Sequence, residues 1–392
     1  MSELLESRWL DTKNALLEGL QGNKKSVMAT TLENTRRYLS ESATAGATSA
    51  GNVATLNRVI LPVIRRVMPT VIANELVGVQ PMTGPVGQIH TLRVRYSDTV
   101  AANGGVVGTA AGEEALSPFK IAEQYSGANT GRAASTAVLE GAAGNKMSIQ
   151  ILKQTVEAKT RKLSARWTFE AAQDAQSMHG IDVEAEIMAA LAQEITAEID
   201  QEVLGSLLTL AGTAAQTYNQ AAVSGTATFV GDEHAALAVQ INRVSNLIAQ
   251  RTRRGAGNWA VVSPFALTIL QSATTSAFAR TTEGTFEAPT NTKMVGTLNN
   301  AMKVYVNTYA ADDAAVLIGY KGSSESDAAA FYCPYIPLMS SGVVLDPATF
   351  EPVVSFMTRY GYVELNNTAS SLGNAADYLG KVAITSANVT FS

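Results

Sequence analysis

Asp182 to Ala211 reads DVEAEIMAALAQEITAEIDQEVLGSLLTLA. Val183, Ile187, Leu191, Ile195, Ile199, Val203 and Leu207 recur every four residues, which predicts one apolar stripe along one helix. Asp182 suits the N-cap, where a carboxylate accepts from the first unpaired backbone N–H groups. At ~1.5 Å per residue the helix is about 45 Å long, too long to bury within one small domain. Its remaining positions hold Glu184, Glu186, Glu194, Glu198, Asp200 and Glu202, with no Lys or Arg. Such a face reads either as a metal or general-acid cluster or as a solvated helix face; the solvated face is the expectation.

Upstream, Trp167 to Met178 is expected to be a short helix stopped at Gly180. Gln150 to Leu163 alternates apolar and polar and reads as a single strand, as does Gln88 to Tyr96. Between them, residues 97–148 hold eight glycines and few large apolar side chains. So long a segment without clear elements is rare inside a compact domain. It is either disordered or a protruding hairpin held by another subunit. Leu56 to Glu75 reads as helical at first, with Arg65 and Arg66 exposed, and Pro62 and Pro69 bound the piece between them. Residues 42–55 (SATAGATSAGNVAT) carry no charge and no large side chain, the composition of a linker or extended arm. Residues 1–41 form a polar amphipathic stretch.

Downstream, a Gly/Ala/Thr-rich loop covers 212–231, followed by a helix from Ala235 to Gln250. Arg253 and Arg254 lie on a basic turn. Trp259 to Val262 reads as a short buried strand, and Ser263-Pro264 as an N-cap and first-turn proline. Met294–Leu298 and Met302–Val306 flank Asn299-Asn300, a hairpin pattern. Ala315–Gly319 and Ala330–Tyr335 continue as strands, and 343–363 and 381–391 are expected to return to the first region. The order of elements is α+β.

The chain has 392 residues, which suggests two or three domains at ~150 residues each. With 29 Lys plus Arg against 34 Asp plus Glu the net charge is -5. Net charge therefore does not drive contact with nucleic acid. Charged residues make up only 16% and aromatic residues 6%, while 46% are apolar. A surface poor in charge and rich in Ala, Gly, Ser and Thr suits a packed subunit better than a free monomer. Cys333 is the one cysteine, so neither an internal disulfide framework nor a CxxC metal site is available. His90, His179 and His234 are scattered. The first twenty residues do not read as a secretory signal, and no span of ~20 predominantly apolar residues appears. The expectation is a protein kept in the cytosol or in something assembled there.

No catalytic constellation stands out: there is no phosphate-binding GxxxxGK[ST] loop, no GxSxG elbow and no HExxH. Gly104-Gly105-Val106-Val107-Gly108 has the wrong spacing for a dinucleotide loop and reads as a flexible one. Lys153, Lys159, Arg161, Lys162 and Arg166 form a basic stretch beside the acidic helix. Without interleaved aromatics it reads as a partner for carboxylates of the same chain or a neighbour rather than a nucleic-acid site. Arg253-Arg254 reads as a solvated loop or subunit contact, Cys333 as a buried small side chain. His179 is a favourable residue near a helix C-terminus. No catalytic, cofactor-binding or metal-binding residue is assigned, and no cofactor is expected.

Four stretches carry a resemblance. They are Pro69 to Gly87 (PTVIANELVGVQPMTGPVG), Arg161 to Asp200 (RKLSARWTFEAAQDAQSMHGIDVEAEIMAALAQEITAEID) and Asn258 to Pro264 (NWAVVSP). The fourth runs from Lys303 to Tyr362, with KVYVNTYAADDAAVLIGYKG, AFYCPYIPLM and DPATFEPVVSFMTRYGY. They resemble the major capsid proteins of T-even-type tailed bacteriophages. The resemblance implies an α+β Hong Kong 97-like capsid fold. Its parts would be an N-terminal segment and arm (1–56), a peripheral domain (57–87, then 151–231 with a spine helix at 182–211), and an extended loop (88–150). An axial domain (232–335) and a return to the peripheral domain with a C-terminal tail (336–392) complete it.

It further implies self-assembly into hexamers, and into pentamers, of an icosahedral head shell around double-stranded DNA. The partners would be other copies, through the extended loop and arm, with vertex, portal, scaffold or decoration proteins, and the packaged DNA non-specifically. No membrane is involved, and the place is the virion, after assembly in the host cytoplasm. An acidic spine face turned to the DNA would repel phosphate. A vertex protein of the same family and an encapsulin-like cage are the alternatives, and a soluble enzyme the reading from another class.

Two departures stand out. The inserted domain common in the family's extended loop looks absent or vestigial in 97–148. Family members are also cut after a Leu/Ile-x-Glu site. Leu39-Ser40-Glu41 fits, and a cut after Glu41 would free the arm. Leu4-Leu5-Glu6, Leu16-Leu17-Glu18 and Ile121-Ala122-Glu123 fit equally, so the pattern is loose. The expectation taken is an uncleaved, structural N-terminal segment.

Overall fold

The computed structural model describes residues 72–385, except 103–107, 114, 116–124, 127–135, 141–143, 180–181, 220–229, 274–277, 281–292, 300, 312, 350 and 366–374. Upstream it describes Trp9, Lys13, Asn14, Leu17, Gly22 and 25–34. The expected arm at 42–55, most of the expected helix at 56–75, and Glu41 lie outside the described residues.

The long helix spans Val183–Leu210. The Asp182 side chain accepts from the backbone N–H of Glu184 and Ala185, as an N-cap should. Leu191, Ile195, Ile199, Val203 and Leu207 are buried on one stripe. They pack into a core with Val354, Phe356 and Tyr360, which lie on one face of a five-stranded sheet. The centre of that sheet is the long strand Pro352–Glu364, whose alternating burial sends Val354, Phe356, Thr358 and Tyr360 inward. Ala330–Ser340 and then Val344–Leu345 run antiparallel along one edge of it; Lys159–Arg166 runs antiparallel along the other. Gly78–Val79 adds a short parallel edge against Phe331 and Tyr332.

A second sheet of seven described strands has a core of its own on one face. Its order is Gln216–Asn219, Leu379–Thr385, Val316–Gly319, Trp259–Val262, Met302–Val306, Lys293–Leu298, Phe278–Arg280. The helix Val230–Thr252 covers that face with Leu237, Ile241, Val244 and Ile248, at helical spacing. The helix Pro264–Ser272 adds Ala266, Ile269 and Leu270, and starts as expected, with the Ser263 hydroxyl accepting from Ala266 N. The opposite face lends Trp259, Val261, Tyr305 and Leu317 to the first core. The expected hairpin forms: Leu298 pairs with Met302, and Asn299 takes the left-handed conformation (φ 53°) that asparagine tolerates.

The third unit is a two-stranded antiparallel ribbon, Val86–Tyr96 with Met147–Glu157, paired over its whole length. It projects from the first sheet, and most of the side chains of Met147–Glu157 are exposed.

Four expectations change. Within the loop expected over 212–231, Gln216–Asn219 forms a strand that pairs parallel with Val382–Thr385. The single strand read over 150–163 is two strands that belong to different units. Ala158 separates them, because its N–H turns to donate to the Pro85 carbonyl at the ribbon root. Ala330–Tyr335, grouped by sequence with residues 232–335, pairs instead in the first sheet. The C-terminal strand, expected to return to the first region, inserts in the second sheet between Gln216–Asn219 and Val316–Gly319. Apolar alternation tells that a strand is half-buried; it does not tell which edge will accept it.

Candidate assembly surfaces and the joints that hold them

The ribbon has two different faces. Register puts Leu92 opposite Ile151, Val94 opposite Ile149 and Tyr96 opposite Met147, all on one side. Leu92 is 65% exposed, and Ile149 and Ile151 are each 67% exposed. Nearer the root the same side carries His90 opposite Lys153. Arg93, Arg95, Gln150 and Ser148 occupy the other side. A contiguous apolar strip on a projecting ribbon is a surface that awaits another surface.

The described residues at the tip of the ribbon pack on one another. Tyr96, Val100, Ala115 and Tyr125 form a small buried cluster, with the Tyr96 and Tyr125 rings 4.4 Å apart. The Tyr125 hydroxyl donates to the Lys146 carbonyl and accepts from Asp98 N. Asp98 in turn accepts from Lys146 N at 2.7 Å. Of the glycine cluster at 104–108, only Gly108 is described, beside the Val100–Thr109 bridge.

The basic stretch and the acidic helix meet in a clamp. Arg161 donates to Glu198 at 2.5 Å, to Glu202 at 2.6 Å and to the Tyr360 hydroxyl at 2.6 Å. The Tyr360 hydroxyl also donates to Glu202. Desolvation opposes ionisation of Glu202, but the hydrogen bonds from Arg161 and Tyr360 outweigh it and hold the carboxyl below its ordinary range. The clamp fixes the long helix to the strands Lys159–Arg166 and Pro352–Glu364. Arg166 faces Glu351 at 3.7 Å. Lys153 points from the ribbon, and Lys159 and Lys162 are exposed.

Asp200 leaves the acidic face. It is 1% exposed, and one oxygen accepts from Ile72 N at 2.9 Å while the other has no partner. Burial pushes its carboxyl up to about 7, against the pull of the Ile72 N–H. Thr196 and Leu204, one turn away on the same side of the helix, are buried with it.

A polar joint ties the two sheets. Arg254 pairs with Asp327 at 2.7 Å, and the Tyr378 hydroxyl donates to the same carboxylate. Lys321 bonds the Asn74 carbonyl at 2.7 Å and Glu325 at 3.2 Å, and Glu325 accepts from Val79 N. Arg254 is thus an intrachain ion-pair partner, not a bare phosphate site. Cys333 is buried, and burial pushes its thiol up to about 11. His234 is buried against Ser272, and desolvation lowers it despite nearby Glu233. His179 ends the helix Phe169–His179. Among the described residues no helix is long and apolar enough to cross a membrane, and no three His, Cys, Asp or Glu side chains converge as metal ligands.

A helix clamped across a sheet, a second sheet with its own core and an apolar-faced projecting arm define a structural subunit built to contact its own kind. Residues 53–384 match the family described as "Major capsid protein Gp23". The chain belongs to that family, and with it to the major capsid proteins of tailed phages. It is 31% identical over 425 residues to the major capsid protein of Enterobacteria phage T4, covering 86% of this chain and 80% of that one. Identity to the major capsid protein of Vibrio phage KVP40 is 29% over 417 residues (84% and 80% covered). With that of Salmonella phage ViI it is 27% over 406 residues (92% and 90%). Among solved structures, a Mycobacterium phage Bobi chain gives a TM-score of 0.47 at 15% identity, covering 80% of this chain and 90% of that one. The capsid of Myoviridae phage XM1 gives 0.45 at 10% identity, covering 80% and 92%. As a member of this family the chain is a subunit of the virion shell and assembles with copies of itself.

Proposed function

We propose that the first sheet with the long helix is the peripheral domain, the second sheet the axial domain, and the ribbon the extended loop. The axial sheets gather around the centres of hexamers, and of pentamers where the shell curves. The ribbon lies on a neighbouring copy. The observation that carries this is the apolar strip of Leu92, Ile149 and Ile151, left bare on an arm whose two strands pair with each other from end to end. Each such contact is weak alone, and many copies in a closed lattice sum to a stable shell. The chain acts as building material without a catalytic step. Assembly takes place in the host cytoplasm, with scaffold, portal, vertex and decoration proteins as accessory partners. Glu184, Glu186 and Glu194, exposed on the long helix, keep packaged double-stranded DNA from adhering, so contact with it is non-specific.

The N-terminal segment stays with the subunit rather than being cut away after Glu41. Burial of Leu17, Val27, Met28 and Leu32 in the first core supports this reading.

The test is electron microscopy of the Leu92→Asp, Ile151→Asp double variant. The variant should melt like the parent and yield no closed shells, because both side chains are exposed in the subunit. Normal shells would refute the role of the ribbon. Parent shells, dissolved, should give an intact mass of 41.2 kDa; a chain lacking residues 1–41 would refute retention.

A further inference from the structure

Three parts of the chain meet at one amide. Residues 25–34 are helical, and Val27, Met28 and Leu32 sink into the first core. Asn34, at the end of that described helix, is buried, and its Nδ2 donates to two carbonyls: Met82 O at 2.8 Å and Tyr335 O at 3.0 Å. Both acceptors are structurally singular. Pro334 pairs with Tyr360 and Ile336 with Arg359, so Tyr335 is the extra residue of a bulge with no residue opposite. Met82 is the plug beneath the ribbon. Its N–H donates to Pro334 O, and its side chain packs with Val156 of the ribbon and with Phe331 and Cys333 of the first sheet. The approach there is so close that a Cβ on Gly361 would collide with Val156 Cγ1.

We propose that the helix at 25–34 is an intrachain brace that sets the angle at which the ribbon leaves the body, with Asn34 as its positioning residue. A primary amide has two N–H donors, and here they satisfy the Met82 carbonyl in a buried contact and the Tyr335 carbonyl in a partly buried one, on either side of the ribbon root. Remove the amide and both carbonyls are left orphaned, which costs more than the hydrogen bonds were worth. The plug and the bulge are then free to slide against each other. The N-terminal segment thereby governs the assembly arm through the Met82 and Tyr335 carbonyls. Anything that shifts or withdraws the segment re-aims the ribbon. That consequence rests on the ribbon being the assembly surface; the brace itself does not.

The experiment is hydrogen exchange on the full-length unassembled chain, comparing the parent with Asn34→Ala and with Asn34→Leu, which refills the volume without a donor. Amides at 86–89 and 154–157 should exchange about tenfold faster in both variants, while those of the long helix keep their parent rates. Parent-like exchange at the ribbon root in both variants overturns the brace. So does uniform acceleration that includes the long helix, because it reports general destabilisation. If the ribbon loosens and shells still form normally, the brace stands and the shell role of the ribbon falls.

Discussion

The two sheets are built on opposite plans. The second sheet draws its core from strands and helices that follow one another between Tyr218 and Ile318, closed by the C-terminal strand with Val382 and Ile384. The first sheet gathers its core from far-apart segments: Leu17 to Leu32, Ile72 to Val79, Leu191 to Leu210, Ala329 to Tyr360, and Leu379. The second closes its main core with its own helices. The first closes only when the N-terminal helix, the long helix, the strands Ala330–Ser340 and Pro352–Glu364 and one face of the second sheet are all in place, and it then extends a ribbon it cannot cover. A unit made from distant segments depends on a few strategic contacts; a unit made from neighbours spreads its stability over many local ones.

The sharpest way to break the comparison is a charge in the stripe that joins the distant segments. Ile195→Asp places a carboxylate at a 1% exposed position of the long helix, and should cost about 4 kcal/mol or more by urea unfolding. The second sheet should keep its own transition. Loss of both together in one transition would show that the two units are not separable.

Asp200 is the next lever. Its folded carboxyl titrates at about 7 against an ordinary 3.8, so between those values the folded chain holds a proton that the unfolded chain has released. The stabilising contribution of the protonated Asp200 is therefore full below about 4, falls as pH rises, and is gone above about 7. Asp200→Asn removes that slope and should gain on the order of 2 kcal/mol at pH 8 and little at pH 4. Thermal melts at the two pH values decide it, and equal shifts at both would contradict the assignment.

The smallest effect belongs to the clamp. Arg161→Met deprives Glu202 and Tyr360 of their shared cation, but the carboxylates are partly exposed and water takes up much of the loss. A cost of about 1 kcal/mol is expected, larger at neutral pH than in strong acid, where Glu202 takes up a proton. Calorimetry showing no pH dependence of the difference would mean that the Arg161 contacts contribute no charge interaction.

Much of this was legible in the residues. The stripe from Val183 to Leu207, the Asp182 cap, the Ser263-Pro264 helix start and the Asn299 turn are local patterns whose causes lie within a few residues. The GVQPM and FYCPYIPL stretches carried the family. The joints were not legible. Nothing near Asn34 in sequence announces Met82 or Tyr335. Nothing near Arg161 announces Tyr360, and Asp327 does not declare that it will meet both Arg254 and Tyr378. The ribbon tip read as featureless because its order comes from Tyr96 and Tyr125, which are far apart in sequence.

The sequence by itself determined most of the long helices and strands, the caps at Asp182 and Ser263, and to which family the chain belongs, because periodicity, caps and turn residues act over one or two turns of chain. Only the tertiary structure decided which strand enters which sheet, where the run at 150–166 breaks, and which of the acidic residues on the long helix is buried. Those outcomes depend on which edge lies free and which carbonyl lacks a partner once the chain has come together.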